Sequence, residues 1–158
     1  GCAVGTIFAD VMDIFDNIKL DRTTKFHTSW LTDLLKKINT QPSLYLKAGA
    51  IHSCVLCDKY EPIIYVEDVG RHNAIDKIAG WIWYNKKNVS KMMLYTTGRL
   101  TSEMVIKTVQ MKIPILISRS GFTAAGVELA KKSDLTLIGR AKGKRFIALS
   151  GLNRIIYD

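Results

Sequence analysis

Gly139-Arg140-Ala141-Lys142-Gly143-Lys144-Arg145 places four cationic side chains in seven residues between two apolar runs. Its glycines let the backbone approach a ligand closely, so phosphate or pyrophosphate is the chemistry it suits. The bland reading is a solvated basic β-turn between Ile138 and Phe146. Weaker versions of the same design recur upstream. Ser118-Arg119-Ser120-Gly121 and Thr96-Thr97-Gly98-Arg99-Leu100-Thr101-Ser102-Glu103 each combine small hydroxyl residues, glycine and arginine after an apolar run. Glu67-Asp68-Val69-Gly70-Arg71-His72-Asn73-Ala74 adds two carboxylates, a guanidinium, an imidazole and an amide at an expected strand-to-helix junction. One such segment is an ordinary helix cap. Together they favour a phosphorylated ligand held at strand ends.

The cysteines fall into two groups. Cys2 lies in Gly1-Cys2-Ala3-Val4-Gly5, where an exposed loop and basic surroundings would favour the thiolate, making it the candidate nucleophile. Cys54-Val55-Leu56-Cys57 follows His52 by two residues; on a buried element both cysteines would act as small hydrophobes, whereas the C-x-x-C spacing could serve redox or metal chemistry. A zinc site would have to draw on Cys2, His52, Cys54 and Cys57, with no second C-x-x-C to support it, so we expect no protein-ligated metal.

Positioning these groups requires alternating elements. Trp30, Leu31, Leu34, Leu35 and Ile38 recur at helical spacing, predicting a helix over 28–39, and Gln41-Pro42-Ser43 breaks it. Ala50 to Cys57 and Ile63 to Val66 suit a hairpin. Ala74, Ile75, Ile78, Ala79 and Ile82 form a second helical stripe between Gly70 and Lys86, and residues 6–17 could form a short helix. Apolar runs at 92–95, 113–117, 135–138 and 146–149, with helical patterns at 100–111 and 123–132, complete a β-α-β-α-β-β order. That order predicts an α/β fold, a largely parallel sheet covered by helices with functional groups at the strand ends.

The bulk properties set outer bounds. The 158 residues suffice for one domain spanning 1–158, and 23 Lys and Arg against 14 Asp and Glu leave a charge of +9, favouring an anionic partner. No stretch reaches the roughly 20 apolar residues of a membrane span, and no signal peptide opens the chain. Three cysteines fit free thiols in a reducing compartment, so a cytoplasmic location is expected. The start at Gly1 suggests the C-terminal part of a longer protein. No aromatic-basic motif supports nucleic-acid binding.

Glu67-Asp68-Val69-Gly70-Arg71-His72-Asn73-Ala74-Ile75-Asp76-Lys77 resembles the signature of the FdhD/NarQ family of formate dehydrogenase accessory proteins. Gly98-Arg99 with Ser102-Glu103-Met104-Val105, Ile113-Pro114-Ile115-Leu116 with Ser118-Arg119-Ser120, and Val127-Glu128-Leu129-Ala130 stand in the family's order. The resemblance implies a three-layer, cytidine-deaminase-like α/β fold, a mixed sheet with helices on both faces, without the zinc-binding pattern of deaminases. It implies a preceding region of about one small domain. It also implies a sulfurtransferase that takes persulfide sulfur from a cysteine desulfurase and passes it to the molybdenum bis(molybdopterin guanine dinucleotide) cofactor, its cargo, for formate dehydrogenase. A homodimer is implied as well.

Residue by residue, Cys2 falls on the first cysteine of the family's C-x-x-C loop, the persulfide carrier, and Gly5 stands where the second would be. If one thiol suffices, Cys2 performs the transfer; if two are needed, Cys54 and Cys57 are the other thiols of the chain. Arg140, Ala141, Lys142, Gly143, Lys144 and Arg145 match the cofactor loop. Ser102, Arg119 and Ser120 are second-tier candidates for the same ligand, and Asp68, Arg71 and His72 are expected to shape the transfer site. The alternative is a non-catalytic chaperone that binds and shields the molybdenum cofactor.

Overall fold

Both apolar stripes lie on helices. In the computed structural model, which describes residues 2–158 and the side chains from residue 10 onward except 45 and 46, the first stripe occupies α2 (Thr28–Thr40), preceded by α1 (Cys2–Asn17) and β1 (Phe26–His27). The chain continues through α3 (Leu44–Ala48), β2 (His52–Asp58), β3 (Glu61–Asp68), α4 (Arg71–Asn85), β4 (Met93–Thr96) and α5 (Ser102–Gln110). It ends with β5 (Ile115–Ser118), α6 (Ala124–Lys132), β6 (Thr136–Lys142), β7 (Arg145–Ser150), a 3-10 turn (Leu152–Arg154) and β8 (Ile155–Ile156).

Six strands form one mixed sheet in the order β3-β2-β4-β5-β6-β7. β4, β5 and β6 run parallel, whereas β2 is antiparallel to both β3 and β4, and β7 is antiparallel to β6. Side chains alternate across the pleat. Leu56, Leu94, Leu116 and Leu137 therefore pack with Phe15 of α1, Ile75 and Ile78 of α4, Met104 and Val105 of α5 and Ala130 of α6. Val55, Met93, Tyr95, Ile115, Ile117 and Ile138 face the other way, against Leu31, Leu34, Leu35 and Ile38 of α2. Helices thus cover both faces, the three-layer arrangement expected. Every residue of β4 and β5 is buried, as parallel strands between two helical layers require.

Three features were not anticipated. The loop expected around Cys2 is instead the first turn of α1, because Cys2, Ala3 and Val4 contain no helix breaker and Gly5 is tolerated within the helix. α3 follows the Pro42 break, its Leu44 N–H donating to Glu67 Oε2 at 3.0 Å. β1 and β8 form a separate two-stranded parallel sheet, joining residues more than a hundred positions apart. The completely buried Arg154 ties that end of the chain down, donating from Nε to the Asp21 carbonyl at 2.8 Å and from Nη1 to the Asp134 carbonyl at 2.5 Å.

Candidate functional site

Because β3 and β4 are both antiparallel to β2, they point the same way, and the carboxyl ends of β3, β4, β5 and β6 share one end of the sheet. The start of β2 meets them there. Arg71, Arg99 and Arg119, each following one of these strand ends, and Arg140, near the end of β6 itself, therefore gather at a single edge. Backbone hydrogen bonds stitch the loops together: Thr97 N–H to Ser53 O at 3.0 Å, Arg119 N–H to Thr96 O at 3.2 Å, Leu100 N–H to Gly121 O at 2.9 Å and Arg140 N–H to Ser120 O at 2.8 Å. Buried Ser118 donates to Gly98 O at 2.6 Å and accepts the Ser120 N–H at 2.9 Å, linking two of the loops.

The basic segment forms the β6–β7 hairpin. Lys142 pairs with Arg145, Gly143 takes φ +61°, and a bulge between Gly139 and Lys142 puts Arg140 at φ +52°, a conformation non-glycine residues seldom adopt. The bulge turns Arg140 to the surface and Ala141 inward. Ala141 is only 1% exposed and packs with the α2 layer, so its side chain is unavailable to a ligand. Arg140, Lys144 and Arg145 line an open cavity of about 640 Å³ with Phe146, Ile147, Ala148, Leu152 and Tyr157; Lys142 and Gly143 are exposed but lie outside its lining. The Phe146 and Tyr157 rings stand 6.4 Å apart at an interplanar angle of 18°. Cations beside near-parallel aromatic rings suit an anionic ligand carrying a planar group.

At the other end of the row, Asp68 is consumed by the turn into α4. Its carboxylate accepts the Gly70 N–H at 3.0 Å and the Asn73 amide at 3.1 Å, and Lys77 Nζ lies 2.8 Å away. Lys77, followed by the Gly70 N–H and Asn73, holds the Asp68 pKa down to about 2. Asp68 therefore orients α4 and offers a ligand little. Arg71 and His72, the first residues of that helix, face a different set of groups. The Arg71 stem crosses Gly98, and His72 Nε2 lies 2.9 Å from Glu103 Oε2 at an ion-pair distance without hydrogen-bond alignment. His52 at the start of β2 stands close enough to feel both charges: burial, then Arg71 and His72, push its pKa down.

Ser102 begins α5 after the N-cap residue Thr101, and Ser120 is half-buried with its carbonyl taken by Arg140. Exposed Arg119 stands between the two groups along the row. The reading of the sequence did not single out His52 as a partner of Arg71, or Ser118 and Thr101 as organising residues. The strand-end position of Ser118 was visible, and so was a hairpin, but the register that sets His52 opposite Asp68, three residues before Arg71, was not.

The candidate nucleophile Cys2 is the first residue of α1, and its side chain lies outside the described residues. Cys54 and Cys57 are both fully buried on opposite faces of β2, Cys54 among the α4 and α5 side chains and Cys57 among those of α2. They cannot share a metal or form a dithiol pair. Burial raises the Cys54 pKa to about 12 and that of Cys57 further, keeping both as neutral thiols. Among the described residues, no group of three or more His, Cys, Asp and Glu side chains is arranged to hold a metal. Nor is any described helix long and apolar enough to cross a membrane.

Fold and site together define an α/β protein with an arginine-lined, positively charged surface at the carboxyl ends of a mixed sheet. A sequence model of the FdhD/NarQ family matches residues 1–156, and the chain belongs to that family. It is similar to the sulfur carrier protein FdhD of Listeria monocytogenes, 30% identical over 139 residues that cover 88% of this chain and 53% of the relative. Protein FdhD of Methanocaldococcus jannaschii is 39% identical over 99 residues, 62% of this chain and 44% of the relative. The chain thus spans about half the length of these relatives. A crystal structure described as that of a formate dehydrogenase accessory protein from Desulfotalea psychrophila superposes with a TM-score of 0.81 at 31% identity, covering 89% of this chain and 62% of that one.

Proposed function

We propose that this chain is the sulfur-carrying part of a cytoplasmic accessory protein for formate dehydrogenase. In this reading the Cys2 thiolate attacks the outer sulfur of a persulfide on a cysteine desulfurase. The S–S bond to the donor cysteine breaks as the new one forms, the donor leaves as a thiolate, and Cys2 becomes the persulfide without net oxidation. The outer sulfur is then passed to the molybdenum bis(molybdopterin guanine dinucleotide) cofactor, the cargo: the Cys2 S–S bond breaks, Cys2 leaves as a thiolate, and the reduced cargo, as substrate, supplies the two electrons that take the sulfur to the sulfide level. Arg140, Lys144 and Arg145 hold its phosphates, while Phe146 and Tyr157 supply aromatic surface for guanine. A homodimer belongs to the same reading.

The observation that carries this proposal is the cavity combining three cations with two near-parallel rings on the hairpin of an FdhD/NarQ family member. The burial of Cys54 and Cys57 on opposite sheet faces supports a one-thiol carrier over a relay through either of them. The test has two arms. Incubation with a cysteine desulfurase and cysteine adds one sulfur mass, and Cys2→Ala abolishes the addition. GDP, a fragment of the cargo, binds the wild type and loses at least tenfold in affinity when Arg140, Lys142, Lys144 and Arg145 are all changed to Gln. Equal affinities reject the hairpin.

The second reading, a cofactor-shielding chaperone without sulfur transfer, draws on the same cavity and on the glycine at position 5. It requires Cys2→Ala to leave formate dehydrogenase maturation intact, where the carrier reading requires its loss.

A further inference from the structure

We propose that His52, Arg71, His72 and Thr101 form a second anion pocket, separate from the basic hairpin, that takes a small tetrahedral oxyanion or the terminal phosphate of an ester. Three buried side-chain atoms gathered here have neither a hydrogen-bond nor an ion-pair partner among the described residues, His52 Nδ1, Arg71 Nε and Thr101 Oγ1, and a fourth, His72 Nε2, makes no aligned hydrogen bond and has only the Glu103 carboxylate 2.9 Å away. All four belong to this one end of the sheet, contributed by the start of β2, the first turn of α4 and the residue before α5. Buried polar groups are nearly always paired, so an unpaired set drawn from separate elements marks a place where a ligand completes the bonding.

The set has a sign. Arg71 Nε–H can only donate, and the hydroxyl and imidazoles can donate as well. No carboxylate neutralises Arg71 among the described residues: Asp68 is held by Lys77, and the nearby Glu103, 64% exposed, faces His72. Gly98 lets the Arg71 stem lie flat and so sets where its guanidinium can go. All four residues are half-buried, so a small anion can approach this end of the sheet from solvent. It is also distinct from the hairpin. β2, which carries His52, lies three strand spacings from β6, and β4, beyond whose end Arg71 crosses Gly98 and Thr101 follows, lies two, about 14 and 10 Å at ~4.8 Å per spacing. The inference holds whatever cargo the hairpin carries.

With three histidines in the chain, proton NMR resolves the test, using His52→Gln to assign the His52 ring. Inorganic phosphate is titrated into wild type, Arg71→Met, Thr101→Val and the hairpin variant with Arg140, Lys142, Lys144 and Arg145 changed to Gln. The expected result is a saturable rise of the His52 pKa in wild type and in the hairpin variant, lost in Arg71→Met and weakened at least threefold in Thr101→Val. Thr101→Val is nearly isosteric and guards against a folding defect in Arg71→Met. A parallel titration with ribose 5-phosphate identifies the source: tighter binding than phosphate points to an ester, weaker binding to the free oxyanion. No response of His52 to either anion, a response that survives Arg71→Met, or one lost only in the hairpin variant overturns the proposal.

Discussion

Gly98 lies beneath the side chain of Arg71, so close that a Cβ added at position 98 would stand 2.8 Å from Arg71 Cβ and 3.0 Å from its Cδ. Gly98→Ala is expected to cost about 1–3 kcal/mol through overpacking, read as a lower urea midpoint. Combining it with Arg71→Ala relieves only the part of the clash beyond Cβ, and the double variant should be less destabilised than the two single effects added together. Strict additivity would mean that the two residues do not press on each other.

The cysteines should separate by reactivity. A thiol reagent added to the native protein at neutral pH is expected to spare Cys54 and Cys57, which are buried as neutral thiols, and to label both once the chain is unfolded in denaturant. Changing both to Ala should leave sulfur loading on Cys2 unchanged while lowering stability by about 1–3 kcal/mol, since each removes a packed group. A double variant that no longer accepts sulfur would show that one of these thiols takes part.

Acid should act through three carboxylates. Asp21 accepts the Thr24 and Thr23 hydroxyls and N–H groups, with the Thr24 hydroxyl the largest influence, and its pKa falls to about 2 from an ordinary 3.8. Asp68 and Asp158 are lowered to about 2 as well, Asp68 chiefly by Lys77 and Asp158 by the Ser29 N–H and then His27. Each folded pKa lies below its unfolded value, so the stabilisation is fully present above the ordinary 3.8 and is lost as pH falls through about 2. The urea midpoint should therefore drop between about pH 4 and pH 2, and less steeply in Asp21→Asn. An equal slope in that variant would remove Asp21 from the account.

Arg154 joins the last turn of the chain to residues far from it in sequence. Arg154→Met should destabilise by about 3–5 kcal/mol, because the carbonyls of Asp21 and Asp134 lose their donor and the carboxylate of Asp134 keeps only Arg22 of its two partners. Arg154→Lys should recover only part of this, since an ammonium cannot reproduce the guanidinium fork. Urea unfolding of the three proteins decides the order.

Much of the frame was legible in the residues alone. Periodicity located α2 through Leu31, Leu34, Leu35 and Ile38 and α4 through Ala74, Ile75 and Ile78, because burial on one face of a helix repeats at a local spacing. The apolar runs and glycine-bearing loops placed the strand ends and the basic hairpin, and the signature from Glu67 to Lys77 pointed to the family whose sequence model matches the chain. Pairing across the sheet is a different kind of information. The β2–β3 register sets His52 opposite Asp68 and so beside Arg71, and the pleat sends Cys54 and Cys57 to opposite layers although their spacing mimics a dithiol motif. The bulge before Lys142 decides that Arg140 faces the cavity while Ala141 is buried. Residue type and local spacing determine which elements form; register and strand order, set by contacts between distant segments, decide which side chains meet.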